Sequence, residues 1–257
     1  MLNNGVQSME VAQLPRLNEP APDFEAVTTQ GTLRLSDFAG RWVILFSHPA
    51  DFTPVCTTEF IAFSEIYPEL QKRNVDLLGL SIDSVYSHIA WIRNIEERFG
   101  VKVPFPVIAD LNKEVATLYG MVMPGESKTE TARCVFMIDD KRVLRAMIYY
   151  PLSTGRNMRE ILRVIDALQT ADHYAVATPA NWMPGDKVIM APPKTVDMAT
   201  ERVTHAHKVV TGYPIGGQKM STGEHGVKAG ENGYECIDWY LCKKELPALH
   251  SEPVVTT

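Results

Sequence analysis

"WVILFSHPADFTPVCTTEF", residues 42–60, joins an uninterrupted apolar run to a turn holding two prolines, three threonines and one cysteine. Residues 42–47 are short, apolar and bounded by turn formers, which predicts a buried strand. From Pro54 onward Phe60, Phe63, Ile66, Tyr67 and Leu70 recur at helical spacing, so the strand feeds an amphipathic helix, which Pro68 should kink or interrupt. With Thr53 as N-cap and Pro54 in the first helical position, where a missing N–H is harmless, Cys56 falls in the first turn. Unpaired backbone N–H groups and the helix dipole there favour a thiolate, the reactive form of cysteine. The opposing reading makes Cys56 a small apolar residue in a buried turn, since free cysteine is often buried. A strand-to-helix junction would present the thiol at the carboxyl end of the sheet, where open α/β folds place their ligands.

Working outward, residues 20–40 alternate apolar and polar side chains around Gln30-Gly31, which predicts a hairpin and a short helical turn. Apolar runs at 75–82 and 106–109 read as strands, and 85–99 and 112–119 as helices. This alternation indicates a mostly parallel, helix-covered sheet. Residues 133–138 and 143–149 flank the turn "DDKR" as a hairpin at a sheet edge would. A helix at 157–169, with Asn157 as N-cap and a stripe of Ile161, Leu162, Val164, Ile165 and Leu168, closes a first domain, residues 1–170. Residues 171–257 are rich in Pro and Gly, as in "TPANWMPGD", "TGYPIGGQ" and "STGEHGVKAGENG". They read as an extended, loop-rich arm lacking a compact core, which needs a neighbour to pack against and so implies an oligomer.

The chain has 257 residues, 45% hydrophobic, with a formal net charge of -6 and a pI near 5.7. No cluster of Lys and Arg offers phosphate neutralisation, so nucleic acid is excluded as a general partner. No uncharged apolar stretch reaches about 20 residues and no leader pattern is present, so a soluble, cytoplasmic protein is expected without membrane contact. The four cysteines, Cys56, Cys134, Cys236 and Cys242, include no C-x-x-C pair, and reactive thiols are expected rather than a disulfide framework. His205-Ala-His207 with Cys236 and Cys242 fits no common zinc spacing, so no metal is expected.

A thiolate at a helix start is best supplemented by a guanidinium, which stays charged at any relevant pH. Arg133, opening the strand "RCVFMI", either points to solvent or reaches over the neighbouring helix start; Arg156 is the next candidate. Alternation turns Cys134 to the face opposite Arg133, as a core residue.

These blocks carry a family resemblance. "FSHPADFTPVCTTE" resembles the peroxidatic loop of peroxiredoxins, Pro-x-x-x-Thr-x-x-Cys, here Pro49, Thr53 and Cys56. "TARCVFMIDD", "RAMIYYPLSTGRNMREILRVIDALQ" and "ATPANWMPGDKVIMAPP" are similar to the long-tailed subfamily, and "CIDWYLC" to the cysteine pair of the archaeal-type thioredoxin peroxidases. The resemblance implies an α/β, thioredoxin-like fold, a central mixed sheet covered by helices, with a C-terminal dimerisation arm. It implies reduction of hydroperoxides without a cofactor. Cys56 would be the nucleophile, Thr53 its hydrogen-bonding partner, Arg133 the stabilising guanidinium and Arg156 a supporting arginine. Pro49 would shield the pocket, with His48 beside it.

For recycling, the resemblance implies that Cys242 resolves the sulfenic acid across a subunit interface, that Cys236 exchanges disulfides with it, and that a thioredoxin-like reductant completes the cycle. Bridged Cα atoms must approach within about 7 Å, so the first turn around Cys56 is expected to unwind during turnover. Two other readings stay open: a one-cysteine enzyme recycled by a small thiol, and a redox-responsive chaperone or sensor ring. The family also implies a homodimer assembling to a decamer. "QGTLRLSD" holds no Gly-x-Ser-x-Gly pattern, so no lipase role carries over.

Overall fold

The structure, a computed structural model, describes residues 14–205, 207–208, 233–247 and 249–250. Residues 1–13, all of "TGYPIGGQ" and all but the last residue of "STGEHGVKAGENG" lie outside the described residues. The chain divides into two compact units, Met1–Met158 and Arg159–Thr257.

The first unit opens with a hairpin of β1 (Glu25–Thr28) and β2 (Gly31–Arg34), then a single 3-10 turn, Leu35–Phe38. There follow β3 (Trp42–Ser47), α1 (Pro54–Lys72), β4 (Val75–Ser81), α2 (Val85–Phe99), β5 (Val107–Ala109), α3 (Glu114–Leu118), β6 (Arg133–Ile138) and β7 (Leu144–Tyr150). The sheet order is β2-β1-β5-β4-β3-β6-β7. Only the centre, β3, β4 and β5, is parallel; β1 joins β5, and β6 and β7 extend from β3, all antiparallel. The sheet is therefore mixed and helix-covered, as the resemblance implied, rather than mostly parallel. Strand alternation with helices reports the βαβ crossovers of the centre but says nothing about the direction of strands added through loops.

β3, β4 and β6 are buried along their whole length. Alternation sends Val43 and Leu45 of β3 into a core with Leu78, Leu80, Tyr119, Cys134 and Phe136, while Phe46 faces α1 and stacks on Phe63 with ring centroids 4.1 Å apart. Gly79 of β4 makes room for this second layer: a Cβ there would meet Phe46 at 3.3 Å and Phe60 at 3.4 Å. Each such buried aromatic contributes about 2–3 kcal/mol of transfer free energy, and together they fix where α1, and so Cys56, lies on the sheet.

α2 has the bounds its pattern predicts because both ends are chemically marked. Ser84 Oγ accepts from the Ser87 N–H, and Gly100 closes the helix in the left-handed region at φ 71°. α1 runs unbroken through Pro68, contrary to the expected interruption. Pro68 sits on the exposed face, and the packing of Phe60, Phe63 and Leu70 on the opposite face outweighs the lost hydrogen bond to Ser64.

In the second unit α4 (Met158–Tyr174) is followed by β8 (Val188–Ile189), α5 (Val196–His205), β9 (His207–Lys208), β10 (Tyr234–Asp238) and β11 (Leu241–Lys244). The four strands form a sheet ordered β8-β11-β10-β9. Trp182, Val188, Cys236 and Cys242 are buried, which corrects the reading of these residues as an arm without a core. Strands of two to five residues are too short to show a period, and their pairing is set by partners distant in sequence. Among the described residues no helix is long and apolar enough to cross a membrane.

Candidate active site

The junction of β3 and α1 has the predicted geometry. Thr53 is extended, at φ -103° and ψ 148°, Pro54 occupies the first helical position, and Cys56 sits in the first turn with no exposed surface. Thr53 stands at the N-cap, yet its side chain makes no capping bond. Its hydroxyl donates instead to the Ala50 carbonyl at 2.9 Å, and its own carbonyl accepts from the Thr57 N–H at 3.0 Å and the Thr57 hydroxyl at 2.8 Å. Thr53 therefore ties the turn below the thiol to the first turn of the helix.

Arg133, the first residue of β6, reaches over the helix start rather than into solvent. Its Nη1 donates to Cys56 Sγ at 3.3 Å and to Glu59 Oε2 at 2.7 Å, and its Nε to the Leu152 carbonyl at 2.9 Å. Arg156 lies behind it. Its Nη2 donates to Glu59 Oε2 at 2.6 Å, its Nε to Oε1 at 2.8 Å, and its Nη1 to the carbonyls of Ser47 and Cys134. The guanidinium also lies over the Phe46 and Phe63 rings, 5.1 and 5.3 Å from their centroids.

Burial alone would raise the Glu59 carboxyl, but Arg156 first and Arg133 second outweigh it and hold the group below its ordinary value. One carboxylate thus serves two buried guanidinium groups. The unbalanced positive charge stands beside the Cys56 sulfur, where an anion is the species that would neutralise it.

His48 and Pro49 are both buried directly after β3. His48 Nε2 lies 3.0 Å from Asp51 Oδ1, and from the other side His88 Nδ1 lies 3.0 and 2.9 Å from the two Asp51 oxygens. Burial would raise the Asp51 carboxyl; hydrogen bonds from the two histidines override it and keep Asp51 ionised well below the usual carboxylate range. Burial also lowers His48, so its ring is neutral. These three residues have the composition and spacing of metal ligands. They fit a metal poorly, because coordination through Nε2 would move the His48 proton to Nδ1, which is buried with no hydrogen-bond partner.

The cysteines fall into three situations. Cys134 is buried in the core on the face opposite Arg133, and burial pushes its thiol up to about 12. Cys236 and Cys242 face each other across β10 and β11 with Cα atoms 4.0 Å apart and are joined as a disulfide. Cys56 and Cys134 are the free cysteines, so the general expectation of free thiols holds for these two and not for Cys236 and Cys242. A directly opposed pair in an antiparallel hairpin brings the two sulfurs together without help from the rest of the fold. Both are buried, not laid on the surface.

Glu59, Asp51, His88 and Trp91 were not singled out from the sequence. A signal existed for two. Glu59 lies three residues after Cys56, among the buried positions of α1, and His88 shares a helical stripe with Trp91 and Ile95.

Residues 17–147 match the AhpC/TSA family, and residues 167–206 match the C-terminal domain of 1-Cys peroxiredoxin. A peroxiredoxin of Aquifex aeolicus is 56% identical over 239 residues, 93% of this chain and all of that one. A peroxiredoxin of Methanosarcina mazei is 46% identical, over 90% of this chain and 98% of its own. Among solved structures, the yeast mitochondrial 1-Cys peroxiredoxin superposes with a TM-score of 0.72 at 39% identity, covering 91% of this chain and all of that one. The peroxiredoxin 6 of Arenicola marina, solved as a cysteine-to-serine mutant, superposes with a TM-score of 0.71 at 37% identity, covering 90% of this chain and 98% of that one.

Proposed function

Because the chain belongs to the peroxiredoxin family, thiol-dependent peroxidases of thioredoxin-like fold, we propose that Cys56 is its peroxidatic nucleophile toward hydrogen peroxide and small organic hydroperoxides. The observation that carries this reading is the 3.3 Å contact from Arg133 Nη1 to Cys56 Sγ, in a site with one more buried guanidinium than carboxylate. That charge favours the thiolate. The thiolate attacks the terminal peroxide oxygen, the O–O bond breaks, and the S–O bond forms a sulfenic acid. The alkoxide or hydroxide leaves with the electron pair and takes a proton from solvent. Arg133 offers the donor that a developing oxyanion requires.

In the next step the Cys242 thiolate, from a partner subunit, attacks the sulfenic sulfur. A disulfide forms, and the hydroxyl leaves as water. Cys236 then attacks Cys242, releasing Cys56 and forming a Cys236–Cys242 disulfide of the kind the structure contains. A thioredoxin-like dithiol in the cytoplasm reduces that bond. Residues 171–257 serve as the dimerisation arm, and dimers assemble to a decamer. One observation favours a second reading: Cys242 is bonded to Cys236 and buried. On that reading Cys56 works alone and an external thiol regenerates it, in keeping with the glutathione and thioredoxin systems described for the yeast relative.

Intact mass after full reduction and one equivalent of peroxide tests both. In wild type a disulfide should appear, and in Cys242→Ser Cys56 should carry one added oxygen. Unimpaired turnover of Cys242→Ser with thioredoxin would favour the second reading. Absence of any oxidation at Cys56 in both proteins would overturn the proposal.

A further inference from the structure

α2 turns three residues inward, His88, Trp91 and Ile95. Two of them touch the segment that carries the thiol. The Trp91 indole N–H donates to Thr57 Oγ1 at 3.3 Å, and one turn earlier His88 meets Asp51. Hydrogen-bond bookkeeping at the His88 ring is restrictive. Nε2 lies 3.1 Å from the Ile108 carbonyl, which can only accept, so Nε2 carries a hydrogen. Nδ1 lies 2.9 Å from one oxygen of a carboxylate that also accepts from His48, so a proton must lie between Nδ1 and Asp51. A bare nitrogen lone pair facing a buried anion at that distance would be repulsive.

We infer that His88 carries hydrogen on both ring nitrogens, as a buried imidazolium paired with Asp51, and acts as a positioning residue that holds the turn beneath Cys56. The bridge between His48 and Asp51 is completed by the same carboxylate, which leaves His48 with its proton on Nε2 and its bare Nδ1 unpartnered. The turn has other anchors. The His48 N–H donates to the Leu80 carbonyl, Thr131 Oγ1 donates to the His48 carbonyl, and the Asp51 N–H donates to Asp83 Oδ2. The titratable groups around His88 are Asp51 and His48, with Asp83 one step further; α1 presents only the Phe60 ring to His48, and β5 presents the Ile108 carbonyl. With the proton in place the carboxylate is neutralised and the turn is held. Without a donor at this ring nitrogen Asp51 would face a lone pair, and the segment leading into the first turn of α1 would loosen.

Nitrogen-detected NMR of the His88 imidazole in the intact wild-type protein reads the protonation directly. Two protonated nitrogens at neutral pH are expected; one bare, pyridine-type nitrogen would overturn the inference. Hydrogen-exchange protection of residues 48–57 reads the positioning. In His88→Leu, which removes both ring donors, it should fall about tenfold or more relative to wild type. In His88→Asn, whose amide can still donate to Asp51, it should stay near the wild-type level. Unchanged protection in His88→Leu, or an equal fall in His88→Asn, would overturn the positioning role. Should His88→Asn fail to fold, the wild-type NMR result decides. That the turn serves a reactive thiol rests on the function proposed above, and a peroxide assay of wild type tests that part separately, since neither the NMR nor the exchange readout depends on turnover.

Discussion

Glu59 and Arg156 are joined by three hydrogen bonds inside the protein: Oε1 accepts from the Arg156 Nε at 2.8 Å and its backbone N–H at 2.9 Å, and Oε2 accepts from Nη2 at 2.6 Å. This pairing leaves one edge of Oε2 for Arg133 Nη1, the same nitrogen that faces Cys56. Two arginines distant in sequence are thus aligned by one carboxylate on the helix of the thiol. Glu59→Gln removes the charge and turns an amide N–H₂ toward a guanidinium. It should cost about 3–5 kcal/mol, read as a lower urea midpoint, because two buried cations lose their counter-charge.

The same group sets an acid limit. Glu59 binds its proton less readily in the folded chain than unfolded, so its contribution is complete above the ordinary carboxylate range and is lost as pH falls through the lower folded value. Urea midpoints of wild type should drop steeply below the ordinary range. Those of Glu59→Gln should fall less, and parallel curves would refute the assignment.

Arg133→Lys keeps a positive charge but loses the fork that meets Cys56, Glu59 and the Leu152 carbonyl together. Stopped-flow measurement of Cys56 oxidation should show a loss of about a hundredfold in the rate constant. A loss under threefold would show that charge alone, not placement, is what the site needs.

Cys134, whose thiol is pushed up to about 12, should resist alkylation in the folded protein, while Cys56, equally buried but in contact with Arg133, reacts. Cys134→Ala should cost about 1–2 kcal/mol through the small cavity it leaves and should leave the peroxide rate within twofold. Peptide mapping after timed alkylation checks the first point.

Pro68→Ala on the exposed face of α1 restores an N–H for the Ser64 carbonyl without disturbing the packed face. It should stabilise the protein by about 1–2 kcal/mol, the helix gain of about 3 kcal/mol offset in part by greater freedom of the unfolded chain. An unchanged or lower thermal midpoint would show that the proline is matched to a bend the packing requires.

The site was legible in part. Cys56 in a first helical turn follows from Pro54 and the apolar spacing after it, and Cys134 in the core follows from alternation beside Arg133. Arg133 itself was balanced between solvent and thiol until the pairing of β6 with β3 placed it over α1. Glu59 reads as one more helix carboxylate until Arg156 arrives from 97 residues away. Asp51 and His88, 37 residues apart, are in the same position.

Sequence alone determined the elements, because hydrophobic period, proline, and capping chemistry act within a few residues: the strand at Trp42–Ser47, the helix that follows it, and the bounds of α2. Tertiary structure alone decided the antiparallel flanks of the sheet, the four short strands around Cys236 and Cys242, and the charge network around the thiol. Those depend on pairings between distant segments, where the gain is counted only once both partners are desolvated and in register.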